Sequence, residues 1–316
     1  MRTIVFNQNN LVQNGNNNTL VYKFPNSVTF SNSEVAISQI TMYYSWFNIT
    51  SALSNNTFTF NWITSNNDNI YQTYTITIPD GLYEIASLNA FLQFVFINAG
   101  SLPTSVISPA TGNQAFYLVN SSGDNVYYAE FVVNPTAYAI QLNTYNVPTA
   151  LPAGWTNPGL TILPDVAPAE SFNPVITTPA AFNAIVGFAT TFSSDQNQNN
   201  AGANPGTATA YKIGSTYSYL STITPQVQPN PNLLVAISGI DNVYASPSSI
   251  IYSLAPSVAI GQLIVEKPPE FNFNKLMRGT YNELRLQFLG TNLQPVVIKD
   301  PNMTILLVIK ESNEQR

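Results

Sequence analysis

The sequence contains no cysteine and no histidine, and only 8% of its 316 residues are charged, against about a quarter in an average globular chain. Without cysteine there is no disulfide framework, no thiolate nucleophile and no zinc knuckle. Without histidine there is no Ser-His-Asp or Cys-His triad and no imidazole metal ligand. The Gly-x-Ser-x-Gly elbow of serine hydrolases is also missing, so a nucleophilic hydrolase has neither its turn nor its base. Long apolar runs are absent too. Ile305 to Ile309, among the longest, falls far short of the roughly 20 residues that cross a bilayer. The first residues, Met1 to Asn9, turn polar at once and predict no signal peptide. These absences predict a soluble protein of a reducing compartment, without a transmembrane segment, cofactor or bound metal.

Amides and hydroxyls stand where charge is missing. There are 40 asparagines, beside abundant Thr, Ser, Gln and Tyr. Aromatic residues make up 12% of the chain, so the bias does not predict disorder. An AT-rich genome would enrich Asn codons. A surface of Asn, Thr and Ser also packs closely against other proteins, because contact buries no unpaired charge. The net charge of -6 argues against a general nucleic-acid-binding surface. Charge is unevenly placed: no Lys or Arg lies between Lys23 and Lys212, a stretch holding Glu34, Asp68, Asp80, Glu84, Asp124, Glu130, Asp165, Glu170 and Asp195. Seven of the ten basic residues are Lys267, Lys275, Arg278, Arg285, Lys299, Lys310 and Arg316. Brought together, they would give the molecule a mildly basic end opposite an acidic one, as suits a part docked in a fixed orientation. Dispersed on strand faces and a tail, they would be ordinary solvated charge.

Period-2 alternation dominates the chain. Phe58, Phe60 and Trp62 alternate with Thr57, Thr59 and Asn61; Tyr74, Ile76 and Ile78 with Thr73, Thr75 and Thr77; Leu284, Leu286 and Phe288 with Glu283, Arg285 and Gln287. Such alternation predicts half-buried strands. The same reading covers residues 20–24, 34–46, 117–120, 126–133, 137–142, 233–238, 250–254 and 262–266, and the apolar run 305–309 predicts a strand buried on both faces. Ile85, Leu88, Leu92, Val95 and Phe96 recur at helical spacing after Pro79-Asp80-Gly81, predicting the one substantial helix. About a dozen short strands between turn clusters predict an all-β sandwich. Seven prolines fall in 148–179, and 193–210 is low-complexity and polar, so this region is expected to be loop or small insertion rather than core. No fixed-period repeat suggests a solenoid or propeller.

Two carboxylates would suffice for a glycosidase, and Asp80 with Glu84, or Asp124 with Glu130, offer pairs. Asp80 sits in a Pro-Asp-Gly turn and Glu84 in a first helical turn, where carboxylates cap backbone donors and favour the helix dipole. No oxygen-ligand cluster resembles a calcium loop. Asn17, Asn48, Asn55, Asn120 and Asn302 match the glycosylation pattern, as chance predicts at this Asn content. Tyr43, Tyr44, Trp46 and Phe47 could form a sugar platform, but they fit a buried strand end better. The chemistry therefore favours a structural or binding protein over an enzyme.

Four stretches carry a family resemblance: Tyr43 to Ile49; Ile78 to Ile85 leading into Leu88-Asn89; Asn134 to Asn143; and the closing segment from Gly279-Thr280-Tyr281-Asn282 through Ile298-Lys299-Asp300-Pro301-Asn302 to Ile309-Lys310. In order and spacing they resemble the penton (vertex) and minor capsid proteins of virophages, Polinton-like viruses and related large double-stranded DNA viruses. The resemblance implies a jelly-roll β-sandwich with one short helix and a loop-rich β insertion, its first and last strands neighbours. The expected division is 1–144 for the first part of the jelly roll, 145–225 for the Pro/Asn-rich insertion or small second β domain, and 226–316 for the remainder. It implies a virion protein of an icosahedral capsid, a homopentamer at the five-fold vertices that contacts the major capsid protein and other minor capsid proteins. Lys275, Arg278, Lys299 and Lys310 would then face inward, toward internal proteins or genome, without specific nucleic-acid binding. A minor or cement protein between major capsomers is an alternative in the same class, and a carbohydrate-binding attachment module the contrasting one. No catalytic residue is implied.

Overall fold

The computed structural model describes residues 1–64, 71–164, 172–194, 216–227 and 231–311. Contacts divide the chain into two units: Met1–Asn48 with Gln228–Arg316, and Ile49–Val227. The first unit opens with strands β1 (Arg2–Phe6), β2 (Thr19–Phe30) and β3 (Ser33–Tyr43). The chain then builds the second unit from β4 (Thr57–Ile63), β5 (Tyr71–Thr77), helix α1 (Ile85–Asn98), β6 (Ile107–Ser108), β7 (Leu118–Val119), β8 (Asn125–Val126), β9 (Ala129–Asn134), β10 (Ala139–Tyr145), β11 (Ile176–Thr178), helix α2 (Ala180–Val186), β12 (Phe192–Ser193) and β13 (Thr216–Leu220). It completes the first unit with β14 (Leu233–Ile237), β15 (Ile250–Leu254), β16 (Leu263–Glu266), β17 (Asn274–Leu276), β18 (Gly279–Leu289) and β19 (Thr304–Glu311).

In the first unit one sheet has the order β1-β19-β3-β16, with β17 also paired to β3, and the other has the order β15-β14-β18-β2. All of these pairings are antiparallel. Along the chain, β1, β3, β16 and β19 enter one sheet and β2, β14, β15 and β18 the other, and the first and last strands lie side by side. This order is that of a jelly roll, two Greek keys folded into a pair of four-stranded sheets. Alternation accounts for the packing: Leu284, Leu286 and Phe288 are fully buried, while Glu283 and Arg285, which alternate with them, are exposed. Burying such a side chain stabilises the fold by about 1.5–3 kcal/mol. The Phe6 and Tyr22 rings, 5.9 Å apart, link β1 to β2 across the sheets. At the other edge the Tyr252 hydroxyl donates to Glu266 over 2.7 Å, linking β15 to β16.

The apolar run 305–309 lies in β19, hydrogen-bonded to β1 on one side and β3 on the other. Leu306 is only half-buried, because the ladder shifts register between Leu306 and Leu307 and the strand leaves part of one face open.

The second unit has its own core. Its sheets are ordered β12-β11-β4-β5-β6, β13-β10-β9 and β7-β8, which does not repeat the jelly-roll order. Phe60 sits at the centre, 4.8 Å from the Phe116 ring and 5.2 Å from Phe96 of α1, both edge-on, the geometry aromatic quadrupoles favour. Helix α1 buries the predicted Ile85, Leu88, Leu92, Val95 and Phe96. Helix α2 runs from Pro179 to a left-handed Gly187, a start and stop that suit both residues, and it buries Phe182, Ile185 and Val186.

Several sequence expectations differ from this. One substantial helix is expected, and two α-helices form among the described residues. The division falls after Asn48 and Val227 rather than after 144 and 225, because alternating strands read alike in both units and only the Pro-rich loop stands out in composition. The Pro-rich stretch 148–179 is expected outside any core, yet Phe172 and Ile176 are buried in the core of the second unit. The expected strand 126–133 is two, β8 and β9, parted at Tyr127 and Tyr128. Of the aromatic group, Tyr44 and Trp46 are buried, whereas Tyr43 is 46% exposed and Phe47 is half-buried. Among the described residues no helix is long and apolar enough to cross a membrane.

Candidate functional site

The outer face of the β1-β19-β3-β16 sheet carries an uncharged strip across all four strands. Register places Val5 beside Leu306, Thr304 beside Thr41, Thr41 beside Val265, and Tyr43 beside Leu263. Their neighbours along each strand, such as Phe6, Ile40, Met42, Ile264 and Ile305, point into the sandwich and are buried. The strip itself is open: Val5, Leu263 and Val265 are 41%, 44% and 52% exposed. The Gln39 amide donates to the Thr41 hydroxyl over 2.8 Å, so the polar groups within it are partly satisfied. Val5, Tyr43, Leu263 and Val265 thus place exposed apolar and aromatic side chains together, which makes the strip a candidate contact surface. Sequence reading missed it, since these residues look like any other strand residues until pairing fixes which face each takes.

Of the four basic residues expected to face inward, Lys275, Arg278 and Lys310 gather at one end of this unit and Lys299 does not. Lys275 on β17 and Lys310 on β19 both lie opposite Glu34 on β3. Lys310 Nζ is 3.6 Å from the Glu34 carboxylate and 5.3 Å from the centre of the Phe273 ring. Arg278 directly precedes β18, whose first residue, Gly279, pairs with Phe30 at the end of β2. Arg2 joins this end through an ion pair of 3.2 Å with Glu311. Lys299 lies beyond the other end of β19, its ammonium 4.8 Å from the centre of the Phe47 ring and its N–H donated to Ser45 O. The length of β19 is on the order of 20 Å at strand rise, so Lys299 is not part of the group. Asp68, Asp165, Glu170, Asp195, Lys212 and Arg316 lie outside the described residues.

Three of the four carboxylates considered for acid–base chemistry hold structural hydrogen bonds. Asp80 accepts the Ser51 N–H at 2.7 Å and its hydroxyl at 3.2 Å; Glu84 stands at the N-cap of α1, but its carboxylate makes no capping hydrogen bond there. Asp124 accepts from the Asn120 amide in a turn. Glu130 is buried on β9 and accepts from Asn143 at 2.9 Å and from the Tyr145 hydroxyl. Asn143 in turn accepts from Gln141 at 2.6 Å and from Ser218 at 2.7 Å, and Asn134 donates to Gln141 at 3.1 Å. This row crosses β9, β10 and β13 and pins their register, as satisfied buried polar networks do. Burial, and then the Glu130 carboxylate beside it, pushes the Tyr145 phenol well above its usual range. Among the described residues no three acidic side chains cluster as metal ligands.

Strand order and surface together define a class: a jelly-roll β protein with a second β unit inserted between β3 and β14, carrying an uncharged strip on one sheet. Among solved structures the chain is similar to the mavirus penton protein, with a TM-score of 0.38, 8% identity and 98% of each chain covered. It is also similar to a structure of the Sputnik virophage, with a TM-score of 0.36, 10% identity, and 100% of this chain and 99% of that one covered. No family model and no curated protein matches the chain.

Proposed function

We propose that the protein is a structural virion component, a penton subunit that forms a homopentamer at the five-fold vertices of an icosahedral capsid. The observation that carries this reading is the complete eight-strand jelly-roll order, closed by pairing of the first and last strands. Jelly rolls recur in capsid proteins, lectins and cupins. A cupin's usual imidazole ligands are absent from a sequence without histidine. The four sequence stretches that resemble penton and minor capsid proteins favour the capsid role over the lectin one, as an argument by analogy.

In this reading the uncharged strip through Val5, Tyr43, Leu263 and Val265 meets the neighbouring subunit, in a ring of heterologous contacts that strands no charge. The inserted unit Ile49–Val227 supplies the outward part of the vertex. Lys275, Arg278 and Lys310 face internal proteins or genome, a role that Lys299 at the other end of β19 does not share, and the major capsid protein surrounds the ring. The test is antibody labelling of purified particles that carry the chain. Label confined to five-fold vertices is expected; label spread over the facets would replace the penton reading with that of a cement protein between capsomers.

A further inference from the structure

The outer face of the other sheet carries a groove of about 600 Å³ where β2 meets the loop that follows β1. Lys23, Glu283, Arg285, Asn9, Val12 and Val21 line it. In this charge-poor chain two of the ten basic residues, drawn from opposite ends of the sequence, converge there. The β2–β18 register sets Lys23 opposite Glu283 and Val21 opposite Arg285. The three charged side chains therefore share one face at spacings of about 5–7 Å. All three are exposed, and among the described residues none forms an ion pair or side-chain hydrogen bond. The ion pairs among the described residues are Arg2–Glu311 and Lys310–Glu34.

The wall opposite is held by hydrogen bonds. Asn7 and Asn10 cap each other reciprocally: the Asn7 N–H donates to Asn10 Oδ1 at 2.9 Å, and Asn7 Oδ1 accepts the Asn9 N–H at 2.9 Å. Asn10 Nδ2 also donates to Val21 O at 3.3 Å, tying the loop to β2. Val12 N–H donates to Thr19 O at 2.9 Å. Loop and strand edge thus hold the groove open before any ligand arrives, and pre-organisation of this kind lowers the cost of binding.

We propose that this groove binds a carboxylated sugar. The volume lies within the range of about 300–1,000 Å³ usual for small-molecule sites. A guanidinium left unpaired presents the fork that a carboxylate fits with two parallel hydrogen bonds. Glu283 selects against polyanions: a nucleic acid or sulfated chain would set further negative charge against it, whereas a sugar hydroxyl donates to it. Lys23 and the Asn9 amide reach the remaining hydroxyls, and the half-buried Val21 and Val12 receive the C–H face of the ring. The site is independent of the vertex reading, since it uses a different sheet face from the uncharged strip.

The experiment is ligand-observed NMR with calorimetric titration of the full-length chain. The probes are methyl glucuronide, N-acetylneuraminic acid, methyl glucoside and inorganic sulfate, against the wild type, Arg285→Gln, Glu283→Gln and Lys299→Gln. Melting curves establish that each variant is folded. Saturable binding of an acidic sugar is expected, weakened at least tenfold by Arg285→Gln, weakened by Glu283→Gln and unchanged by Lys299→Gln, with no saturation by methyl glucoside. The proposal is overturned if neither acidic sugar saturates, or if Arg285→Gln binds as the wild type does. It is equally overturned if sulfate competes at the same concentration and Glu283→Gln tightens both, because the groove is then a plain anion surface.

Discussion

Leu307→Ala separates the two units energetically. Leu307 is fully buried on β19, opposite Ile4 on β1 and Ile37 on β3. Truncation removes about three methylene-sized groups, or ~2.4 kcal/mol of transfer free energy at ~0.8 kcal/mol each. Because β19 is hydrogen-bonded on both sides, it cannot move inward to fill the space, and the cavity raises the loss to about 3–4 kcal/mol. Every 1.4 kcal/mol is tenfold in an equilibrium constant. Hydrogen exchange read peptide by peptide should therefore show amides of β1, β3, β18 and β19 exchanging roughly a hundredfold or more faster. Amides of β4, β5 and α1, which belong to the core around Phe60, should keep their protection. Equal loss in both sets would refute the division into units with separate cores. A loss below tenfold in β19 would refute the reasoning that this strand holds the sandwich together.

Three further outcomes are expected. Gly187→Ala places a Cβ against the Ile223 carbonyl at a φ of +81°, which costs about 1–3 kcal/mol, so the melting temperature should fall by several degrees; an unchanged melt would contradict the tight C-terminus of α2. Tyr252→Phe removes the donor to Glu266 at 2.7 Å and costs about 1 kcal/mol, at the low end for a charged partner because the pair is partly solvated. The Tyr252 phenol is pushed up to about 12 by burial and by Glu266; the folded state favours its neutral form, so the wild type's advantage is full below pH 10 and lost as pH rises through about 12, as paired urea titrations at pH 8 and pH 12 would register. Val265→Asp, at a position 52% exposed, should leave the fold intact and reduce the particle mass in light scattering, because association would bury an unpaired carboxylate; an unaltered mass would remove the strip from the interface.

Much of the architecture can be read from the residues. Period 2 in Phe58-Phe60-Trp62 and Leu284-Leu286-Phe288 marks β4 and β18, helical spacing from Ile85 to Phe96 marks α1, and the apolar run 305–309 marks a central strand. Other features have a local signal that composition hides. Helix α2 is bracketed by Pro179 and Gly187, a start and stop that a Pro-rich neighbourhood makes easy to overlook. The unit boundary at Asn48 has no local signal, because strands of a jelly roll and of an inserted sandwich obey the same alternation. Sites built by pairing are the least legible. Lys23 and Arg285 share a groove, and Val5 and Leu263 a face, only after register joins the ends of the chain. The charge asymmetry pointed to a basic group, and Lys275, Arg278 and Lys310 do assemble, but Lys299 falls at the far end of β19 because a whole strand intervenes.

The most direct test of the vertex assignment is the solution mass of the full-length protein by light scattering, across concentration and salt. The account predicts a discrete species at about five times the chain mass of 34.5 kDa, as a closed ring of identical heterologous contacts requires. A monomer, or a dimer, at every concentration and salt would contradict it.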